Sequence, residues 1–216
     1  MREPPLLAVM AKAPVCGAVK TRLAREIGAV SATALARTLT AALLRKLTKE
    51  ARFGAVLAVT PDHAASAPYA AWSLKGLRRI GQGRGSLGER MQRIFDCCGR
   101  GPLIIVGTDI PFVSSSMIAD AFRRLGGSDA IFGRAEDGGY WLVGLRRRPK
   151  RLAPFENVRW SSPHALTDTL NNLARHRIAF AATLFDIDTE ADYRRYKLGD
   201  EARRVDAAGP RRASPA

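Results

Sequence analysis

Asp109 is the residue in this chain best placed to do chemistry. It follows the apolar run Leu103-Ile104-Ile105-Val106 and Gly107-Thr108, and it precedes Ile110-Pro111. A carboxylate just past the end of a central strand sits in the crevice where open α/β sheets take their ligands. So close to a buried strand it needs a cation or hydrogen-bond donors. Mg²⁺ or Mn²⁺ bridging a diphosphate would satisfy it. A turn-forming Asp that bonds its own backbone before Pro111 has the same local sequence.

A basic loop offers the complementary charge. The run Leu6-Leu7-Ala8-Val9-Met10 reads as a buried strand, and Pro14 and Gly17 mark a loop after it. Lys12, Lys20, Thr21 and Arg22 surround that loop, ahead of an Ala-rich helical stretch. Such a loop, at the end of a first strand and the start of a helix, is a common phosphate cradle. It is not a Walker loop, because only Gly17 is present and Lys20-Thr21 follows it too loosely. It also lacks the closely spaced glycines of a dinucleotide fingerprint. Ordinary solvated lysines on a surface loop are the competing interpretation.

Further clusters come later. Glu136-Asp137-Gly138-Gly139-Tyr140 reads as a hairpin turn. Its glycines permit close backbone approach, so the same turn can present Asp137 and Tyr140 to a pocket. Asp186-Ile187-Asp188-Thr189-Glu190 is a third acidic site, where Asp188 can also cap a helix. Gly81 to Arg90 is a Gly-rich basic connection into a helix, and Trp160-Ser161-Ser162 reads as a cap beside a packed indole. His63, His164 and His176 lack the spacing of a triad or a zinc site.

The elements that must position these residues alternate between strand and helix. Strands are expected near 6–10, 55–59, 78–80, 103–106, 130–132, 140–143 and 178–180. Helices are expected at 31–50, with Ser31 as cap and leucines at 35, 39, 43 and 47, and at 86–98, 114–125 and 163–175. This alternation implies a largely parallel sheet with helices on both faces. One domain is expected over 1–198, with a basic, mobile tail over 199–216 where periodicity fades.

Composition narrows the classes. A chain of 216 residues with 46% hydrophobic and 25% charged residues is an ordinary globular domain. Its net charge of +15 attracts anions, so nucleotides, nucleic acid and acidic membranes all remain admissible. The arginines are not interleaved with aromatics as a single-strand binder requires, which argues against nucleic acid. Three cysteines, two of them adjacent, make no disulfide framework and no metal knuckle. Reduced thiols, an apolar start too short for a secretory signal, and no run of membrane-spanning length lead us to expect a cytoplasmic protein.

The combination resembles a known family. Met10-Ala11-Lys12-Ala13-Pro14 with Gly17 and Lys20-Thr21-Arg22-Leu23, Leu87-Gly88-Glu89-Arg90-Met91, Gly107-Thr108-Asp109-Ile110-Pro111, Glu136-Asp137-Gly138-Gly139-Tyr140 and Trp160-Ser161 are similar to the bacterial DUF2064 family. Some members of that family are named arsenosugar-biosynthesis glycosyltransferases. The family lies within the nucleotide-diphospho-sugar transferase (GT-A) superfamily, and the resemblance covers about residues 6–196. Two positions depart from the pattern: Cys16 replaces a usual Pro, and Phe112 replaces an acidic residue beside Asp109.

The resemblance implies an α/β, single-domain, GT-A-like three-layer sandwich with a mostly parallel central sheet. It implies that Lys20 and Arg22 contact phosphates, with Lys12, Gly17, Thr21, Glu89 and Arg90 in the same nucleotide-binding group. It makes Asp109 and Asp188 ligands of a divalent metal (Mg or Mn). Gly138, Gly139, Tyr140 and Trp160 would bind substrate, and Asp137 and Lys20 would be catalytic. The expected reaction is glycosyl transfer from a nucleotide-diphospho-sugar to a small acceptor. The alternatives are nucleotidyl transfer from a nucleoside triphosphate and a non-catalytic nucleic-acid-binding or regulatory protein on the same fold.

Overall fold

The computed structural model describes residues 4–69, 72, 74–99, 101–147 and 151–208. In chain order the elements are β1 Leu6–Lys12, α1 Thr21–Ile27, α2 Ala29–Leu47, β2 Gly54–Thr60, β3 Arg78–Gly81, α3 Leu87–Cys97, β4 Leu103–Val106 and α4 Ser115–Leu125. They continue with β5 Ala130–Ala135, β6 Tyr140–Leu145, α5 Ala165–Asn171, β7 Ile178–Leu184 and α6 Glu190–Ala208. Among the described residues the seven strands form one sheet in the order β3-β2-β1-β4-β6-β5-β7. All pairings are parallel except those of β6, which runs antiparallel to β4 and β5.

The sheet is buried on both faces, which is why its central strands are continuous apolar runs. Alternation divides their side chains. Leu7, Val9, Ile104, Val106 and Leu142 join one core with Leu43, Leu44 and Leu47 of α2 and Ile118, Ala121 and Leu125 of α4. Ala8, Leu103, Ile105, Val143 and Leu145 join the opposite core with Met91, Ile94 and Phe95 of α3 and Leu173 after α5. The result is the expected α/β three-layer sandwich with a mostly parallel central sheet.

Helix termini account for most boundary differences. Ser86 caps α3 in a reciprocal box with Glu89, and Ser114 caps α4 by accepting the Met117 N–H. The predicted start at Ser31 is displaced. The turn between α1 and α2 belongs to Gly28, whose φ of 84° suits a residue without Cβ. Leu35, Leu39, Leu43 and Leu47 all face inward, as their spacing predicts. The helix expected over 163–175 is shorter, Ala165–Asn171, because Asn172 turns its side-chain amide onto the carbonyls of Pro154 and Glu156.

One expectation near the C-terminus needs correction. Asp188 does not cap α6. Thr189 Oγ1 accepts the Asp192 N–H (3.3 Å), and the Asp192 carboxylate accepts the Thr189 N–H (2.9 Å), a reciprocal cap one residue later. The helix then runs to Ala208, across position 199 where the tail was expected to begin. Its first turns gain an i,i+4 Glu190–Arg194 pair. Positions 209–216 of the expected tail lie outside the described residues.

Candidate functional site

The topology brings the carboxyl ends of β1, β2, β3, β4, β5 and β7 to one edge of the sheet, with the start of antiparallel β6 among them. Everything that follows those strands in sequence therefore meets there. Lys12 closes β1, Gln82 follows β3, Asp109 follows β4, Asp137 lies between β5 and β6, and Asp186 and Asp188 follow β7. They line one cleft of about 910 Å³, large enough for a drug-sized or nucleotide-sized ligand.

Lys20 is the centre of the acidic half. Its backbone is left-handed (φ 47°, ψ 47°) at the start of α1, an uncommon conformation for a residue with Cβ. That geometry sends its side chain, only 3% exposed, inward. Lys20 Nζ donates to the Ile187 carbonyl at 2.6 Å and lies 2.8 Å from Asp109 Oδ1 and 3.8 Å from Asp188 Oδ1. Arg22 NH1 reaches Asp188 Oδ2 at 3.6 Å. The Ile187 N–H donates to the Asp109 carbonyl at 3.2 Å, lacing the extensions of β4 and β7 together.

The carboxylates outnumber those two cations. Burial pushes Asp186 up to about 6, helped by the charges of Asp188, Asp137 and Asp109. Burial also raises Asp188, with Asp109 and Asp137 acting in the same direction and Lys20 and Arg22 opposing. Asp186 was named in the sequence only as part of the third acidic cluster, with no role of its own. Its signal was the two-residue spacing from Asp188, which in an extended segment puts both side chains on the same side.

The other half of the cleft is basic and polar. Gln82 is 2% exposed, and its amide nitrogen donates to the carbonyls of Ala11 and Ala58 (3.2 and 2.9 Å). Its oxygen accepts from Arg90 NH1 at 3.2 Å, so a buried amide fixed on β1 and β2 aims the Arg90 guanidinium. Sequence reasoning missed Gln82, since a glutamine in a Gly-rich loop gives no sign of burial. Lys12, Thr21 and Arg22 also line the cleft.

Two members of the expected phosphate group stand elsewhere. Glu89 lies outside the cleft lining; its carboxylate accepts the Ser86 N–H at 2.7 Å and is spent on capping α3. Gly17, in the left-handed region at φ 77°, turns the loop without lining the cleft.

The β5–β6 hairpin brings the substrate-side residues in. Asp137 Oδ1 accepts the Gly139 N–H at 2.9 Å, which makes the tight turn and faces Asp137 to the cleft. Gly139 lines the cleft and Gly138 does not. Gly138 instead allows close approach: at φ 87°, a Cβ there would lie 2.4 Å from the Pro163 carbonyl oxygen. Tyr140 is pressed between Phe132 and Trp160 in edge-on contacts, and burial pushes its hydroxyl far above the usual tyrosine range. Trp160 completes that wall, also packing on Phe155.

Among the described residues, no group of three or more His, Cys, Asp or Glu side chains converges to enclose a metal on its own. No helix is long and apolar enough to cross a membrane.

The DUF2064 family, described as an uncharacterized protein conserved in bacteria, matches residues 43–162, more than half of the sequence. The chain belongs to the DUF2064 family. A proposed nucleotide-diphospho-sugar transferase from Desulfovibrio desulfuricans is similar in structure, with a TM-score of 0.79 and 27% identity over 86% of this chain and 82% of that one. Rv0371C from Mycobacterium tuberculosis, solved as a complex with manganese, has a TM-score of 0.54 and 19% identity over 90% of this chain and 98% of its own. CMP:2-keto-3-deoxy-manno-octonic acid synthetase complexed with CTP has a TM-score of 0.60 and 10% identity over 93% of this chain and 100% of its own. No curated protein matches the sequence. This DUF2064 chain thus has the nucleotide-diphospho-sugar transferase fold, which nucleotide-using transferases share.

Proposed function

We propose that this DUF2064 protein is a metal-dependent glycosyltransferase that takes a nucleotide-diphospho-sugar and passes the sugar to a small acceptor. One observation carries the reading. Asp109, Asp137, Asp186 and Asp188 share with Lys20 and Arg22 the cleft at the carboxyl edge of the sheet. This half of the cleft sets four carboxylates against two cations, while Lys12 and Arg90 line the rest of it, and such clustered titratable groups in an open cleft mark a functional site more often than a purely structural one.

The donor set fits Mg²⁺ or Mn²⁺. Asp109 and Asp188 offer hard carboxylate oxygens; burial raises Asp188, with a lesser contribution from Asp109 and Asp137, and a bound cation would favour its charged form. Two protein carboxylates with the rest of the shell from substrate phosphate is the usual arrangement for such ions. A divalent cation held by Asp109 and Asp188 would neutralise the leaving diphosphate as the sugar bond breaks.

The chain's own residues do the remainder. Lys12, Lys20 and Arg22 bring positive charge to the diphosphate. Arg90, aimed by Gln82, binds the nucleotide end. Asp137, oriented by the Gly139 N–H, accepts the proton of the acceptor hydroxyl. Tyr140 and Trp160 form the apolar wall for the sugar.

Turnover tests the reading. Wild-type protein incubated with nucleotide sugars, candidate acceptors and Mn²⁺ is expected to release nucleoside diphosphate, and Asp137→Asn is expected to lower the rate by about 10²–10⁴ while donor binding persists. Pyrophosphate release from a nucleoside triphosphate would establish nucleotidyl transfer instead.

A further inference from the structure

We infer that Lys20 is a latch on the cation position: its ammonium occupies the gap between Asp109 and Asp188 until a diphosphate draws it away. A divalent metal would therefore bind tightly only together with the donor. This rests on the metal-dependent reading above and adds an order of events to it.

Three features of Lys20 argue for a latch. Its ammonium is within hydrogen-bond range of Asp109 Oδ1 at 2.8 Å and the Ile187 carbonyl at 2.6 Å, with Asp188 Oδ1 at ion-pair range, 3.8 Å. Two of its three donors are thus held on this side, so full engagement of a phosphate requires them to let go. The side chain is also almost fully buried, whereas Asp109 is 51% exposed and Asp188 39% exposed. The carboxylates thus face the cleft while the cation plugs the space behind and between them. Finally, the stem starts from a left-handed residue at the first turn of α1, beside Thr21 and Arg22, which line the same cleft. Rotation about the four-carbon stem can carry the ammonium from the carboxylates to a bound phosphate without moving the sheet.

The electrostatics set the direction. With Lys20 in place, the Asp109–Asp188 pair is partly neutralised and a divalent cation gains little there. A diphosphate offers Lys20 oxygens of greater charge, and its departure leaves two carboxylates facing the cleft. Metal and diphosphate then favour each other's binding, and linkage requires the coupling to be equal in both directions. When diphosphate leaves, Lys20 returns and the metal affinity falls.

Metal binding reads this out without any turnover. Mn²⁺ binding to the full chain is followed by the loss of the free-ion electron paramagnetic resonance signal, and ³²P-pyrophosphate retention by equilibrium dialysis with and without Mn²⁺. The latch predicts weak binding of Mn²⁺ alone to wild type, and at least about tenfold tighter retention of pyrophosphate when Mn²⁺ is present, which is about 1.4 kcal/mol of coupling. Lys20→Met is predicted to bind Mn²⁺ alone at least about tenfold more tightly than wild type and to lose most of the coupling. Should Lys20→Met fold poorly, Lys20→Gln is read in the same two assays, and a folded variant that binds Mn²⁺ alone no more tightly than wild type would overturn the latch.

Tight binding of Mn²⁺ alone to wild type, unchanged by pyrophosphate, would overturn the latch and leave the metal-dependent reading standing. Absence of Mn²⁺ binding by either protein, with or without pyrophosphate, would overturn both.

Discussion

The buried Gln82 carboxamide and the Arg90 guanidinium form a supported pair: Arg90 NH1 donates to Gln82 Oε1 at 3.2 Å, while Gln82 Nε2 is tied to the carbonyls of Ala11 and Ala58. The pair transmits the rigidity of β1 and β2 to a cation that lines the cleft. Replacing Gln82 by Met keeps the volume and removes the amide. It is expected to cost about 1–3 kcal/mol in urea unfolding, because the buried carbonyls lose their donors. Arg90→Ala is expected to cost less stability than Gln82→Met while weakening nucleotide binding by as much, since it removes the aimed cation and leaves the strand contacts in place.

Gly138 is a place where a single methyl group matters. At φ 87° it approaches Pro163 so closely that a Cβ would meet the Pro163 carbonyl oxygen at 2.4 Å, and its own carbonyl accepts the Leu166 N–H. Gly138→Ala adds a left-handed strain of about 1–3 kcal/mol to that collision. Thermal unfolding is expected to show a loss at the upper end of that range. A variant as stable as wild type would mean that the hairpin and the Pro163 segment can separate freely.

The loop carrying Trp160 is held by a charged pair whose pH dependence can be read. Arg159 donates Nε and NH2 to both Asp168 carboxylate oxygens, at 2.9 and 2.7 Å, and its backbone N–H donates as well, at 3.0 Å. The guanidinium holds Asp168 well below the usual carboxylate range. A depressed carboxylate stabilises the fold above its unfolded value and loses that contribution as pH falls toward the folded one. Asp168→Asn is therefore expected to lower the Tm at neutral pH, with the gap to wild type starting to close below about pH 4. A gap constant from pH 7 to pH 2 would contradict this account.

Much of the fold was legible because the core is patterned simply. Leu103-Ile104-Ile105-Val106 is apolar throughout, as a strand covered on both faces must be, and the four-residue leucine spacing in α2 marks its buried side. The places that misled involve choices among equivalent caps. Ser31 and Asp188 are both sound capping residues, yet Gly28 and Thr189 hold those positions, because a left-handed turn and a reciprocal Thr189–Asp192 bond were available nearby.

At the site, the residues following strand ends could be read from sequence, since topology alone gathers them. The burial of Gln82 and the inward turn of Lys20 could not, since they depend on backbone angles and on partners far away in the chain, such as the Ile187 carbonyl. The capping duty of Glu89 was legible in the Ser86-x-x-Glu89 spacing and was passed over in favour of a phosphate role.

The most direct test of the central claim compares thermal unfolding of wild type and Asp109→Ala against nucleoside diphosphates and nucleotide sugars, each with and without Mn²⁺. A ligand at a hundredfold over its Kd adds about 2.7 kcal/mol of stability, hence roughly 5–10 °C for a domain of this size. The account predicts such a shift for wild type when Mn²⁺ and a diphosphate or nucleotide sugar are present together, and its loss in Asp109→Ala. An equal, metal-dependent shift in the variant would contradict it.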